Sequence, residues 1–340
     1  MATLTGNTVA STYDSLIKIQ DNTSGFATLK TLSDGLGAAM PIKFSSTVVD
    51  FQTTTTVNFT GVSVIGLTDN VGVSTLNSLT GALTLLGVQN LAVTDDGISN
   101  TAIGAYAMGV GNAGNYNVAV GSQCLVDVTG NSNVALGFQS LFDLTSGANN
   151  IAIGQWSAKA MHVGESGNIA LGSEAMSLAD EGTAGGDIDN NIAIGVQAFQ
   201  SGDLAGNDRQ VVGNIAIGYR AVRETTTNAQ TGTIGIGHEA LSALTEGDGN
   251  IAIGYQAGLE TTIGDNNVYI GYRAAYRTAN LNNQNNVFIG YYAGSGDWTS
   301  TLSSKNTAVG SLSMNGAMNS ALENTAVGYR SLQDITTGDD

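Results

Sequence analysis

Apolar and small residues alternate in a short phrase that recurs along most of the chain. In the copy at residues 250–257, an asparagine is followed by Ile, Ala, Ile and Gly. The bounding Asn and Gly favour turns, and the β-branched residues favour a strand of about four residues between them. Because side chains alternate along a strand, Ile251 and Ile253 are predicted to share one face, and Ala252 the other.

Thirteen copies of the phrase occur between Asn100 and Gly328. Successive copies are 16 to 23 residues apart, and the longer intervals come from variable spacers. Self-similarity at this period is typical of a solenoid, in which each repeat is one coil and insertions form surface loops. With a rise of about 4.8 Å per coil, thirteen coils would give a rod of about 60 Å. The sequence therefore predicts an all-β chain with a parallel β-solenoid head.

The alternation also suggests how such coils associate. We predict that the larger residues, such as Ile251 and Ile253, fill the coil. The alanine position would then face outward, and its constantly small size predicts close packing against copies of the same chain. The residues predicted to pack against those copies are Ala152, Ala193, Ala216, Ala252, Ala308 and Ala326.

The ends of the phrase carry turn chemistry. Gly permits a positive φ and a sharp turn without a steric penalty. Asn at the start tolerates left-handed backbone, and stacking of the coils would line these asparagines into a ladder.

The copies at residues 306–310 and 324–332, Asn-Thr-Ala-Val-Gly with Tyr-Arg-Ser-Leu following the second, resemble the repeat of bacteriophage tail fibres. The phrase is also similar to the head repeat of trimeric autotransporter adhesins, a left-handed parallel β-roll. This resemblance covers about two-thirds of the chain and implies an elongated homotrimeric fibre. Three copies depart from it: Gly235 replaces the alanine and Thr233 the asparagine in one, and Tyr269 and Phe288 replace the alanine in the other two. If the alanine position faces a trimer axis, as the resemblance implies, these two rings would have to fill a widened axis or rotate outward.

The resemblance also organises the rest of the chain. Residues 1–40 are predicted to be the N-terminal virion-attachment segment, which contains a hairpin of two strands around residues 16–19 and 27–32. Residues 41–97 are Thr- and Val-rich and are predicted to form a β shaft, with residues 48–53 and 55–60 as paired strands. Residues 98–340 are the β-roll head.

Composition limits the partners and the compartment. The net charge of −17 argues against nucleic-acid binding and against docking on an anionic membrane. No signal peptide or membrane span is visible in the sequence, which favours the phage interpretation over a secreted adhesin. Cys124 is the single cysteine and occupies a small-residue position of its repeat, as expected of a packed side chain.

Few residues suggest chemistry. His162 and His238 lie in separate repeats and are expected to be loop or turn residues rather than a metal pair. Acid pairs in Gly-rich loops, at residues 95–96, 187–189 and 339–340, keep glycan cleavage open as an alternative. The Gly-Asp turns at residues 247–250 and 264–267 resemble calcium turns superficially, but turn chemistry explains them better. We expect no catalytic residue, no cofactor and no metal.

Exposed aromatic residues are the remaining candidates. Tyrosines follow the repeat glycine in several coils, where they would stack as a structural ladder or form rings on which sugars pack. The predicted receptor-contact residues are Tyr255, Tyr272, Tyr291, Tyr292 and Trp298, with the spacer loops as equal candidates.

The sequence thus indicates a structural and adhesive phage tail fibre, made in the host cytoplasm and carried on the virion. Its expected partners are two sister chains, a tail tube, adaptor or nozzle protein bound through the N-terminus, and a glycan or protein receptor on the host. No membrane insertion is expected. The alternatives are a bacterial trimeric adhesin passenger and a glycan-degrading tailspike.

Overall fold

The computed structural model describes residues 98–109, 114–179, 187–200, 210–224, 230–278, 282–298, 302–318 and 320–334, and short strands outside these ranges. The chain divides into two compact units, Met1–Gly66 and Leu67–Asp340. All regular secondary structure in the described residues is β-strand, as predicted.

The first unit contains one antiparallel sheet with its strands in chain order. Its strands are β1 (Lys18–Ile19), β2 (Lys30–Ser33), β3 (Ala39–Phe44) and β4 (Val49–Phe51). The predicted hairpin is confirmed, because Ile19 pairs with Leu32. β4 pairs with β3, whereas the partner predicted for it, residues 55–60, lies outside the described residues. The predicted limit at residue 40 falls inside β3, and the division into attachment segment and shaft stays a prediction.

The second unit is built on a parallel sheet of fourteen strands. It begins with β5 (Leu85–Leu86), earlier than the predicted start of the head, and continues through all thirteen copies of the phrase. Those strands are β6 (Thr101–Ile103), β7 (Val118–Val120), β8 (Val134–Leu136), β9 (Ile151–Ile153), β10 (Ile169–Leu171), β12 (Ile192–Ile194), β14 (Ile215–Ile217), β16 (Ile234–Ile236), β17 (Ile251–Ile253), β18 (Val268–Ile270), β19 (Val287–Ile289), β20 (Thr307–Val309) and β22 (Thr325–Val327).

Each of these strands pairs in register with its neighbours in the adjacent coils, and β22, at the edge of the sheet, pairs with β20 alone. Ala252, for example, lies between Gly235 and Tyr269. Strands in the spacers form smaller parallel pairings. They are β11 (Asp187–Asp189), β13 (Gln210–Val212) and β15 (Gln230–Thr231) in one sheet, and β21 (Ala321–Leu322) with β23 (Gly338–Asp339) in another. The predicted parallel β-solenoid is therefore confirmed.

The predicted facing of the strands is wrong. Ala252 is fully buried inside its own coil, whereas Ile251 is half-buried and Ile253 is 38% exposed. The same inversion holds for the other alanines assigned to a trimer axis, which are buried within a single chain: Ala152, Ala193, Ala216, Ala308 and Ala326. These alanines therefore form the core of the solenoid and leave the β-branched residues outside.

The coil interior explains why the inward position is small. The residue four places after the closing glycine is buried in the coil in all described copies before the last one, and in most of them it is large, as in Leu241 and Phe199. A Cβ added to Gly235 on strand β16 would come within 2.4 Å of Cγ2 of Val222, which occupies that position. A narrow coil thus has room for one large side chain across its width, and the other half of the repeat supplies it.

In the two copies that carry an aromatic residue in place of the alanine, the sizes of the two inward positions are exchanged. Tyr269 and Phe288 are fully buried and stack inside the solenoid with ring centroids 5.7 Å apart. Their partner positions carry glycine: a Cβ at Gly258 would lie 2.9 Å from the Tyr269 ring, and one at Gly294 would lie 2.5 Å from the Phe288 ring. The rings therefore neither widen an axis nor turn outward, because large and small residues have exchanged places.

This exchange predicts a compensating pair of substitutions. Phe288→Ala should lower the free energy of unfolding by about 3–5 kcal/mol, because it leaves a cavity. Gly294→Leu alone should also destabilise, through a clash with the ring. The double variant should recover much of the loss, since Leu241 adopts the required backbone at the equivalent position with φ 51°. Guanidinium unfolding of the four proteins measures the coupling, and simple additivity of the two losses would contradict the rule.

A buried asparagine ladder closes one edge of the coils, as predicted. Both the backbone N and Nδ2 of Asn267 donate to Oδ1 of Asn250, each at 3.0 Å. Nδ2 also donates to the carbonyl of Asn283 at 2.8 Å. The ladder is interrupted at Thr233, whose backbone N donates to Asn214 but whose hydroxyl replaces the amide. The side chains thus satisfy backbone groups that a tight turn would otherwise bury without partners.

The left-handed residue of this turn is not the ladder asparagine itself. Among the described residues it is the one before it, as in Asn266 with φ 57° and Asn149 with φ 60°. The ladder asparagine itself does not adopt left-handed backbone, because its backbone N–H points along the stack toward the coil before it.

The closing glycines bring successive coils into very close contact. Gly254 has φ 138°, and a Cβ at this position would lie 2.4 Å from the carbonyl oxygen of Gly271. Both the backbone angle and the space therefore require glycine.

A matched pair of substitutions tests this requirement. Gly254→Ala should cost at least about 3 kcal/mol, because φ strain and a backbone clash act together. Gly213→Ala is the control: Gly213 has φ 70° and nothing lies within 4 Å of its would-be Cβ, so only the smaller left-handed penalty applies. Chemical denaturation measures the free energy of unfolding of both variants. Equal losses would show that the close contact between coils adds no cost to the backbone strain.

Candidate receptor-contact surface

A row of aromatic rings lies on the outside of the solenoid, at the residue after the closing glycine. Five successive coils contribute to this aromatic ladder, which consists of Tyr219, His238, Tyr255, Tyr272 and Tyr291. The centroids of neighbouring rings are 5.0 to 5.5 Å apart, close to the spacing of the coils. Three predicted receptor-contact tyrosines belong to the ladder. His238 was missed as a member, although its place after Gly237 could have indicated it.

The stacking limits what the ladder can do. The inner rings, such as Tyr255, have a neighbouring ring on each side, so they present mainly their edges to solvent. A sugar that packs on an aromatic face cannot reach those faces. The ladder therefore supports a structural role for its inner members, with offset aromatic pairs contributing about 0.5–1.5 kcal/mol each.

A polar row runs beside the aromatic ladder, at the second residue after the glycine. Gln256 donates from Nε2 to Glu239 at 2.8 Å, and Arg273 donates from Nε to Oε1 of Gln256 at 2.8 Å. Arg273 continues the row by donating from Nη1 to the hydroxyl of Tyr292 at 2.6 Å. These hydrogen bonds hold the Arg273 guanidinium in one orientation at the surface.

Arg273 lies among four tyrosine rings. Its guanidinium carbon is 4.6 Å from the ring centroid of Tyr276 and 5.4 to 5.9 Å from those of Tyr255, Tyr272 and Tyr292. These distances allow cation–π attraction. The hydrogen bond to Tyr292 raises the pKa of Arg273, so the side chain stays a cation at any physiological pH.

An open niche of about 410 Å³ adjoins this arginine. We call it the arginine niche. Its wall consists of Arg273, Tyr276, Arg277, Tyr292, Ser295, Gly296, Asp297, Asn315 and Ala317, all from one chain. Arg277 donates to Asp297 at 2.8 Å across it. Tyr292, a predicted receptor-contact residue, belongs to the polar row rather than to the aromatic ladder; its ring is tilted by 52° from that of Tyr272 and lines the niche.

Trp298 cannot contact a receptor in this fold, and its assignment is wrong. The side chain is fully buried and meets the Phe288 ring edge-on, with centroids 5.4 Å apart. The physical reason is the space opposite the inward-pointing aromatic residues, which an apolar ring fills at a gain in burial. Nothing in the spacer sequence around it distinguishes an inward from an outward tryptophan.

The acidic turn residues serve the fold where the structure describes them. Oδ1 of Asp189 accepts the backbone N–H of Ser166 at 2.6 Å, and Oδ1 of Asp248 accepts that of Thr231 at 2.6 Å. Asp265 accepts the backbone N–H of Asp248 at 3.0 Å. Burial raises the pKa of Asp189 most, and repulsion by Asp187 adds to it. Each acid thus links its coil to a neighbouring coil, which explains the Gly-Asp turns without a cation.

The other acid pairs, at residues 95–96 and 339–340, lie outside the residues whose side chains the structure describes. Cys124 is buried, as expected, and burial raises the pKa of its thiol to about 12. Within the described residues, His, Cys, Asp and Glu side chains form no group of three that could hold a metal ion. The same residues contain no helix long and apolar enough to cross a membrane.

Fold and surface together define a parallel β-solenoid with β-roll-like repeats, which carries an external aromatic ladder and one arginine niche. No family model, curated protein or solved structure compared with the chain matches it.

Proposed function

We propose that this chain is a structural and adhesive fibre protein of a bacteriophage tail, which works as a homotrimeric rod. The observation that carries the proposal is a stripe of β-branched and other apolar residues on the outside of the solenoid. The most exposed members of this apolar stripe include Leu136, Ile153, Ile253 and Val327, all at the last position of their strands. A row of apolar side chains at the surface is typical of a face that is covered in the working protein.

The occupant that fits the apolar stripe best is a second and third copy of the chain. The stripe repeats once per coil, at the spacing of strands in a sheet. A partner must carry apolar groups at the same spacing to match it along its length, and parallel copies do so by construction. Cyclic association closes such a contact without leaving an open end. In this proposal Ile and Val, not the buried alanines, meet around the trimer axis.

The remaining parts of the proposal follow the resemblance of the repeats to phage fibre repeats. The N-terminal part would join a tail tube, adaptor or nozzle protein, and the solenoid would reach the host surface and bind a glycan or protein there. The asparagine ladder and the aromatic ladder suit this mechanical task, because they join successive coils through side chains as well as backbone. The work is adhesion rather than catalysis.

The trimer proposal predicts the mass of the purified protein in solution. Sedimentation equilibrium of the full chain should give three times 34.6 kDa, about 104 kDa. Ile153→Lys combined with Ile253→Lys should shift the protein to monomers, because charges buried at the axis would have no partners. Val163→Lys is the control, since Val163 is equally exposed but lies in a spacer. A monomeric wild-type protein would overturn the trimer.

The location on a virion is tested separately. Gold-labelled antibodies against the solenoid should mark tail fibres of intact phage particles, and the same antibodies should block adsorption to host cells. Labelling of a bacterial surface in the absence of phage would favour the adhesin alternative. Shortening of host polysaccharide by the purified trimer would favour the tailspike alternative.

A further inference from the structure

We propose that the arginine niche binds a carboxylated sugar of a surface glycan, with the sugar carboxylate on Arg273 and the sugar ring against Tyr276 and Tyr292. This proposal deepens the adhesive function and rests on it, since it names the class of ligand and the residues that would recognise it. The niche volume of about 410 Å³ lies within the range of small-molecule sites, roughly 300–1,000 Å³.

The charge pattern around Arg273 selects an anion. Arg277 is paired with Asp297 across the niche. Arg273, by contrast, has no carboxylate partner among the described residues: its hydrogen-bond acceptors are Gln256 and the Tyr292 hydroxyl. These bonds occupy Nε and Nη1 and leave Nη2 for an incoming ligand. A guanidinium that is fixed in place and lacks a counter-charge is well suited to a carboxylate.

The other niche groups fit a sugar better than a simple anion. Tyr276 and Tyr292 provide aromatic surface that, unlike the inner rings of the ladder, borders an open volume. Ser295, Asp297 and Asn315 provide a hydroxyl, a carboxylate and an amide within the same wall, and Ser295 already hydrogen-bonds to Asn315. A few convergent polar groups beside an apolar surface are what orients a polyhydroxylated ligand.

The net charge of the whole chain makes the contact with Arg273 decisive. At −17 per chain, the long-range field repels an acidic glycan rather than attracting it. Binding must therefore come from contacts made inside the niche. Affinity should depend on one arginine and should persist at physiological salt, where distant charges are screened.

Saturation-transfer NMR on the full-length protein tests the proposal with two matched pairs of probes, trigalacturonate with galactotriose and sialyllactose with lactose. At least one acidic member should bind more tightly than its neutral partner by about tenfold or more, equivalent to about 1.4 kcal/mol. Arg273→Gln should remove this preference for the acidic probe. Tyr276→Ala should lower the affinity for the acidic probe by a similar factor.

Arg220→Gln is the matched control. Arg220 occupies the same position of its repeat, donates from Nε to Gln197 at 2.8 Å and lies 4.9 Å from the Tyr219 ring, but it does not line the niche. Its substitution should leave binding unchanged, and thermal unfolding should show that all variants fold. Equal losses in the Arg273 and Arg220 variants, equal binding of acidic and neutral probes, or no binding of any probe would each overturn the proposal.

The outcome can be separated from that of the proposed function. All niche residues come from one chain, so saccharide binding can be measured whether the protein is monomeric or trimeric. A trimer on the virion that binds none of the probes would refute the niche proposal and leave the fibre proposal standing. A monomeric protein that binds the acidic probe through Arg273 would refute the fibre proposal and leave the niche proposal standing.

Discussion

The contact between successive coils at the closing glycines is the constraint on which the rest of the solenoid depends. Gly254 approaches the carbonyl of Gly271 so closely that no side chain fits between them. This close approach holds each strand in register with its counterpart in the next coil. Equivalent residues of successive coils therefore lie one above another. The buried asparagines then share hydrogen bonds, and the external tyrosines then stack. Both ladders therefore follow from one backbone geometry, the in-register stacking of the coils.

Because the coil is narrow, its two halves carry inward side chains of different size. Only one large side chain fits across the interior, so a small strand residue faces a large residue such as Leu241, or a large one such as Phe288 faces Gly294. The β-branched residues of the phrase are thereby left outside. The proposed trimer would cover these apolar residues, which links the packing of one chain to its proposed assembly.

The external rows show how a repeat that serves the fold can also provide a site. Most rings of the aromatic ladder cover one another and have little left to offer a ligand. The pattern changes where the polar row carries Tyr292, beside Arg273 and a spacer that contributes Asp297. Recognition is proposed at this irregular point, because variable spacers can change there without disturbing the coil contacts.

The sequence by itself determined the repeat, the parallel solenoid, the asparagine ladder and the row of tyrosines, because each is a local pattern read at a fixed period. It did not determine which face of the strand points inward. Alternation of Ile251, Ala252 and Ile253 allows either facing, and ordinary hydrophobicity favours the wrong one. Only the tertiary structure decided this, together with the burial of Trp298 and the assembly of the arginine niche. The niche depends on side chains that lie 17 to 20 residues apart along the chain and meet across coils. The facing and the burial of Trp298 depend on which large and small side chains meet inside a coil, and no local pattern indicates these contacts.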